Sequence, residues 1–348
     1  MANLNFLIAD NAFTTAELSD AINVDAQPRY GRLRALDLFP TKSITTTFAM
    51  IERRNNVLHI LPTGERGAPP TVGKDAKRDA DIFKIEHVPY SEYVRADDVQ
   101  NIRAFGSETE MMQVQDKVAE KILAAQRKHD ITLEHMRAGA LRGQIVDADG
   151  SILLDLFQRF GVTQTTIAFD FGGGSPNPQR ASQDVIRHME DNLLGDVMTG
   201  VHALCSPSFF DALIASPSVR AAYDNHQALR NQMGALDVLT GDPRAGFRYG
   251  GVTFEEYRGF GRSLNADGTQ TRLEFIPDGE ARFFPLGTQD TFRTYFGPPD
   301  YLDEVNTPGL EYYAQTVPDP RNRYVEIDTQ SNPLPICMRP QLLVRGTA

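Results

Sequence analysis

The chain has 348 residues, 41% hydrophobic and 23% charged, with a formal net charge of −11 and a pI near 5.2. This composition is ordinary for a globular protein and excludes a disordered or fibrous chain. The acidic balance argues against a protein that holds nucleic acid by neutralising its phosphates.

Neither a membrane segment nor an export signal is predicted. No segment approaches about 18 uninterrupted apolar residues, and no basic region precedes the short apolar patch at the N-terminus. Cys205 and Cys337 lack the paired spacing of a zinc site or redox motif. We therefore expect a soluble, unexported protein whose two cysteines are buried thiols in a reducing cytoplasm.

The first elements in chain order form an arm over residues 1–42. Thr14 and Glu17 make a capping box in front of a short helix. Pro28 and Gly31 then break the pattern, and the apolar residues that follow are typical of an arm that docks elsewhere.

An extended β-hairpin loop is predicted over residues 43–95. Alternation over 44–50, a polar turn at 53–56 and an apolar run at 57–61 indicate two paired strands. A polar stretch of about 18 residues follows, and structureless loops of that length are uncommon in compact domains. Its basic residues and those of the turn could meet acidic surface on a neighbouring copy or simply be solvated. These candidates are Arg53, Arg54, Arg66, Lys74, Lys77 and Arg78.

A long helix from about Thr109 to Arg142 is the strongest helical prediction. Its apolar residues recur at steps of three and four, and Gly143 ends it. At 1.5 Å per residue it spans roughly 50 Å, so we call it the spine helix. His129 falls on its apolar face, which favours a structural histidine over a ligand. A hairpin around residues 147–150 follows.

The next part of the chain predicts a mixed α and β lobe. Residues 172–178 form a loop that marks the best internal boundary, before helical spacing at 184–194. Ser206-Pro207 and Ser216-Pro217 each place a capping serine before a proline at the first helical position. Hairpins are predicted at 247–254 and around 265–268.

Aromatic residues crowd the segment 281–314. They are too close together, with too little periodicity, to belong to one amphipathic element. They could form an ordinary domain core or divide between that core and contacts with another chain. The candidates for intersubunit contact are Phe292, Tyr295, Phe296 and Tyr301.

No catalytic, cofactor or metal site is predicted. Gly172 to Gly174 lack the ending of a phosphate loop, and Asp147 and Asp149 lack the distal ligands of a calcium loop. The histidines include no pair at ligand spacing, and the cysteines support no nucleophile motif.

Several ordered blocks of residues resemble the lambda-type phage major capsid protein (phage capsid E) family. The blocks include Asp98-Val99-Gln100, Ser206-Pro207-x-Phe209-Phe210-Asp211, Tyr249-Gly250-Gly251-Val252-x-Phe254, Pro285-x-Gly287-Thr288 and Gln330-Ser331-Asn332-Pro333-Leu334. Each is weak alone, but their order extends over nearly the whole chain.

The resemblance implies an α+β fold, the Hong Kong 97 capsid fold. It implies an N-terminal arm (1–42), an extended loop (43–95), a peripheral domain (96–180) that contains the spine helix, an axial domain (181–310) and a return to the peripheral domain (311–348).

The function implied is that of a non-enzymatic structural head protein of a tailed double-stranded DNA phage or prophage. Its copies would form the hexamers and pentamers of an icosahedral shell, assembled in the host cytoplasm. The implied partners are a scaffolding protein in trans, a portal protein, a decoration protein and packaged DNA bound without sequence specificity. Two alternatives are an encapsulin-like compartment shell and a soluble α/β enzyme with an unrecognised site.

Overall fold

The computed structural model describes residues 15–23, 30–54, 78–99, 110–173, 176–225, 246–264, 268–321 and 323–348. The helices are Thr15–Asn23, Arg32–Ala35, Ala96–Val99, Glu110–Arg142, Leu156–Phe160, Pro178–Asn192, Pro207–Ala215 and 217–225, with 3-10 turns at Leu302–Glu304 and Pro340–Leu342. The strands are β1 (Thr41–Ser43), β2 (Phe48–Arg54), β3 (Arg78–Lys84), β4 (Val88–Arg95), β5 (Gln144–Val146), β6 (Ile152–Asp155), β7 (Thr165–Ala168), β8 (Gly200–Cys205), β9 (Phe247–Tyr249), β10 (Val252–Glu256), β11 (Phe260–Leu264), β12 (Gln270–Glu274), β13 (Glu280–Leu286), β14 (Phe292–Phe296), β15 (Tyr313–Pro318), β16 (Tyr324–Ser331), β17 (Pro333–Cys337) and β18 (Val344–Thr347). This content confirms the predicted α+β class.

The chain divides into two compact units. The first contains residues 1–50, 82–134 and 293–336, and the second contains 51–81, 135–292 and 337–348. The segment expected to return to the peripheral domain is thus divided, with 311–336 in the first unit and 337–348 in the second. The five-part division implied by the family resemblance stays a prediction.

The spine helix is confirmed at Glu110–Arg142. From its ninth residue onward, every position of the predicted apolar face is buried, namely Val118, Ile122, Ala125, His129, Leu133, Met136 and Ala140. Gly143 ends the helix with a positive φ of 81°, and a side chain there would meet the ring of Phe157. Only glycine satisfies both the backbone and the space at this position.

In the first unit, the arm docks on polar residues that lie one helical turn apart on the spine helix. Gln126, Asp130 and Glu134 are all buried. The Gln126 amide donates to the carbonyl of Ile22 at 2.7 Å, and the Leu33 amide donates to Glu134 at 2.9 Å. These contacts satisfy backbone groups at the end of the 15–23 helix and the start of the 32–35 helix. The predicted capping residue Thr14 lies outside the described residues.

The sheet core of the first unit packs against the same helix. Strands β15, β16 and β4 form an antiparallel sheet in that order. Its Val94 and Ile327 join Ile122 and the arm residues Leu18 and Ile22 in one apolar cluster. A second sheet places β14 between β1 and β17.

The extended loop contains the predicted strand, but the strand runs through Arg53 and Arg54, which were predicted to lie in a turn. Residues 45–47 are bends, the strand begins at Phe48, and β2 pairs with β3. The Ile85 amide donates to the Thr47 carbonyl at 3.1 Å at one end of this ribbon. Alternation identifies a strand but not its partner, and the second predicted strand, 57–61, lies outside the described residues.

The second unit is built on a six-stranded sheet in the order β7-β18-β13-β8-β10-β9. Ser206 caps the 207–215 helix through the Phe209 amide at 3.3 Å, as predicted, and residues 217–225 form the helix expected after Ser216. The 178–192 helix begins six residues earlier than predicted because Asn177 caps it and Pro178 occupies its first turn. The hairpins β5–β6, β9–β10 and β11–β12 are confirmed.

Candidate intersubunit surface

Three of the charged contact candidates lie in the described strands. Arg53 and Arg54 end β2, and Arg78 begins β3. The Ile85 amide bonds to the Thr47 carbonyl at one end of the two-stranded ribbon of β2 and β3. Pairing of the two strands therefore brings the backbone of Arg53, Arg54 and Arg78 together at the other end. Arg66, Lys74 and Lys77 lie outside the described residues.

The aromatic candidates are buried within the subunit. Phe292, Tyr295, Phe296 and Tyr301 expose no more than 7% of their surface, and so do the other four aromatic residues predicted to share the segment, Phe283, Phe284, Tyr312 and Tyr313. The Tyr301 hydroxyl donates to the Asp328 carbonyl at 3.1 Å, and burial raises its pKa. The domain-core interpretation therefore accounts for this segment, and contact with a neighbour stays a prediction for the four candidates.

A group of exposed apolar side chains lies on the ribbon instead. Phe48, Met50 and Ile82 expose 44%, 61% and 54% of their surface, whereas the alternating residues Ile51 and Phe83 are buried. Both faces of this part of the ribbon are thus apolar. We call Phe48, Met50 and Ile82 the ribbon patch. Clustered exposed apolar residues are typical of protein contact sites.

A second exposed group lies in the loop that follows β14. Leu302 is 95% exposed and Val305 is 58% exposed. We call these two residues the loop patch. Sequence reasoning selected Tyr301 and missed its neighbour Leu302, which begins the 3-10 turn Leu302–Glu304.

The backbone around the loop patch is held by hydrogen bonds. The Asp300 amide donates to Gln330 at 2.9 Å, and the Gly309 amide donates to the Ile44 carbonyl at 3.0 Å. The Thr307 hydroxyl donates to the Glu304 carbonyl at 2.8 Å. An apolar side chain on an anchored loop loses little conformational freedom when it docks.

The two cysteines and His129, the groups considered for chemistry, are all buried. Cys205 and Cys337 are buried free thiols, and burial raises both pKa values, that of Cys337 to about 12. His129 bonds to the Thr329 hydroxyl at 3.0 Å, and burial lowers its pKa to about 4. Both cysteines and His129 are therefore neutral at pH 7. Among the described residues, no cluster of acidic, histidine and cysteine side chains could hold a metal ion.

Among the described residues, no helix is long and apolar enough to cross a bilayer.

Comparison with known families gives one match over most of the chain. The profile of the phage major capsid protein E family matches residues 14–348. A major capsid protein of Pseudomonas phage KPP10 is 32% identical over 332 residues, which cover 92% of each chain. That of Salmonella phage Felix O1 is 29% identical over 338 residues, which cover 90% of this chain and 91% of the relative.

Solved structures share the fold at low identity. A putative capsid protein of a prophage in E. coli CFT073 has a TM-score of 0.55 at 12% identity, covering 96% of this chain and 98% of its own. A phage-related protein of Bordetella bronchiseptica RB50 has a TM-score of 0.54 at 10% identity, covering 97% and 98%. The mature capsid of bacteriophage PhiM1 scores 0.50 at 16% identity, covering 93% and 89%. The fold is that of phage capsids, as predicted.

Proposed function

We propose that this chain, which belongs to the phage major capsid protein E family, forms the hexamers and pentamers of the icosahedral head of a tailed double-stranded DNA phage or prophage. Membership of the family makes it a structural head protein that associates with its own copies, and not an enzyme. Its place is the capsid of the virion.

Exposed apolar surface on the first unit is the observation that supports contacts between copies. The ribbon patch and the loop patch together present a leucine, a valine, an isoleucine, a methionine and a phenylalanine to solvent. Complete burial of a fully exposed side chain of this kind contributes about 1.5–3 kcal/mol, and the half-exposed members contribute in proportion to the surface that they still expose. We assign both patches to contacts between copies of this chain.

We assign the basic positions of the extended loop to electrostatic contacts with a neighbouring copy. Arg53, Arg54 and Arg78, with Arg66, Lys74 and Lys77, would meet acidic surface of a neighbouring copy in a chain whose net charge is −11. Complementary charges of this kind accelerate association and fix register more than they add affinity. The four aromatic candidates, Phe292, Tyr295, Phe296 and Tyr301, stay predicted contacts with a neighbouring copy.

The remaining partners are those that the family resemblance implies. We infer a scaffolding protein in trans, a portal protein, a decoration protein and assembly in the host cytoplasm. Packaged DNA would meet the shell without sequence-specific readout, since the acidic chain does not favour phosphate neutralisation. The division into arm, extended loop, peripheral and axial domains is part of the same proposal.

Electron microscopy of the chain, expressed alone and with the genes next to it, tests this function. Hexamers, pentamers or closed shells are the expected particles. Small particles of fixed size, even when a scaffolding protein is present, would contradict the proposal. Shells filled with a cargo enzyme would instead indicate a bacterial compartment.

A further inference from the structure

The sheet of the second unit carries charges on its less apolar face. Ala281 and Phe283 of β13 and Val344 of β18 belong to the apolar cluster on one face. Because side chains alternate along a strand, Arg282 and Arg345 point to the other face. Both are arginines at directly paired positions of neighbouring strands, a like-charge pair that destabilises a sheet unless anions compensate it.

Glu280 is the anion that both arginines contact. The Arg282 and Arg345 guanidinium groups each donate to one oxygen of the Glu280 carboxylate. Glu280 and Arg282 are more than nine-tenths buried by residue surface. Arg142, in the last turn of the spine helix, is close enough for its charge to act on both Glu280 and Arg282.

One carboxylate does not satisfy three guanidinium groups. Among the described residues, four buried nitrogen atoms have no hydrogen-bond partner: Nε and Nη2 of Arg142, Nε of Arg282 and Nε of Arg345. Buried polar groups in native proteins almost always have a partner, and an unfilled set of donors indicates a bound ion or water. The donors here come from three side chains in one charged cluster.

The charge balance favours an ion over water. Three arginines and one glutamate leave two net positive charges in a chain that is strongly acidic overall. Burial lowers the pKa of Arg142, and it lowers that of Arg282 to about 10, an effect that Arg345 and Arg142 reinforce. Among the described residues, Glu255 is a further buried carboxylate on this face, and it bonds to His202 at 3.1 Å. A further anion would relieve this imbalance.

We propose that Arg142, Arg282 and Arg345 form a binding site, beside Glu280, for a small oxyanion such as inorganic phosphate. The planar guanidinium fork matches the spacing of two oxygens on such an anion. Arg345 keeps 39% of its side chain exposed and gives the ion access to the two more buried arginines. The site lies within one subunit and is independent of the proposed function in the shell.

The test uses the purified full-length chain and inorganic phosphate. Phosphate should raise the melting temperature progressively with concentration, beyond the effect of chloride at equal ionic strength. Titration followed by phosphorus NMR should give saturable broadening or shift of the phosphate resonance. Arg345→Gln should weaken binding at least about tenfold, because it removes a charge-assisted contact.

Two further variants separate a binding role from a structural one. Glu280→Gln removes the competing carboxylate and should bind phosphate several-fold more tightly, which a purely structural network would not produce. Arg187→Gln is the matched control, since Arg187 lies in the same unit, is 65% exposed and pairs with Asp184 at 3.0 Å. It should bind phosphate as the unaltered chain does.

Arg345→Gln is chosen because Arg345 is the most exposed of the three arginines, and Arg142→Gln serves as its second test. No saturable phosphate binding would overturn the proposal and assign the four nitrogen atoms to buried water. Equal loss of binding in Arg345→Gln and Arg187→Gln would also overturn it, since the effect would then be general surface charge.

Discussion

Replacing Leu302 by aspartate tests the assignment of the loop patch to contacts between subunits. Leu302 is 95% exposed, so the substitution removes no contact within the subunit core. The neighbouring Tyr301 and the loop hydrogen bonds keep the backbone in place. The structure therefore predicts a variant that folds normally but assembles poorly.

The magnitude follows from the side chain. Full burial of a leucine against a neighbour contributes about 1.5–3 kcal/mol, and aspartate forfeits this and adds the cost of desolvating a carboxylate. Each 1.4 kcal/mol changes an equilibrium about tenfold, so every affected contact weakens about tenfold to a hundredfold. The free energy of unfolding of the subunit itself should change by no more than about 0.5 kcal/mol, as is usual for surface substitutions.

The assay compares Leu302→Asp with Leu302→Met, which conserves volume and apolar character. Sedimentation and electron microscopy measure the fraction of protein in capsomers or shells as concentration rises. The melting temperature and circular dichroism of the unassembled chain measure folding. Leu302→Met should assemble at nearly the normal concentration, whereas Leu302→Asp should need a much higher one.

Two results would refute the reasoning. If Leu302→Asp assembles like the unaltered chain, Leu302 is not buried at a contact. If the variant melts many degrees lower before assembly, the loop contributes to the subunit fold and the loss of shells says nothing about the interface.

Three further predictions concern the subunit. Burial lowers the pKa of His129 to about 4 from an ordinary 6.5, so neutral His129 contributes its full stability above pH 6.5. The free energy of unfolding should fall by about 3 kcal/mol as the pH drops from 6.5 to 4. In urea unfolding, His129→Gln should lose less stability than the unaltered chain over this range. In the same assay, Gly143→Ala should lower the free energy of unfolding by about 2–5 kcal/mol, because the positive φ strains alanine and the Phe157 ring leaves no room for a methyl group. An unchanged urea midpoint would show that the helix end can shift. Tyr312→Phe should lower the free energy of unfolding by about 1.5–3 kcal/mol, because the Asp130 carboxylate loses the buried Tyr312 hydroxyl that donates to it at 2.6 Å. Equal stability would mean that a water molecule replaces the hydroxyl.

The local elements were predictable because their signals are local. The spine helix, the Ser206 cap and the hairpin at 247–254 depend on residues within a few positions of one another, where spacing and turn chemistry decide the structure. The capsid fold was also accessible, since the family's blocks keep their order along the chain.

The contact surfaces were less predictable. Aromatic crowding left open whether the segment forms a domain core or also contacts another chain. Each of the eight aromatic residues is buried, while Leu302 and Met50 are exposed. Composition measures how much apolar surface a segment has. It does not tell which side chains the subunit covers with its own residues.

The sequence alone thus determined the fold class, the spine helix, the local hairpins and the family, because each depends on neighbours in the chain or on ordered motifs. Only the tertiary structure decided that β2 pairs with β3, which apolar residues stay exposed, and that Arg142, Arg282 and Arg345 meet around Glu280. Those pairings join residues far apart in sequence. Their selection depends on how whole elements pack, which periodicity along one segment does not encode.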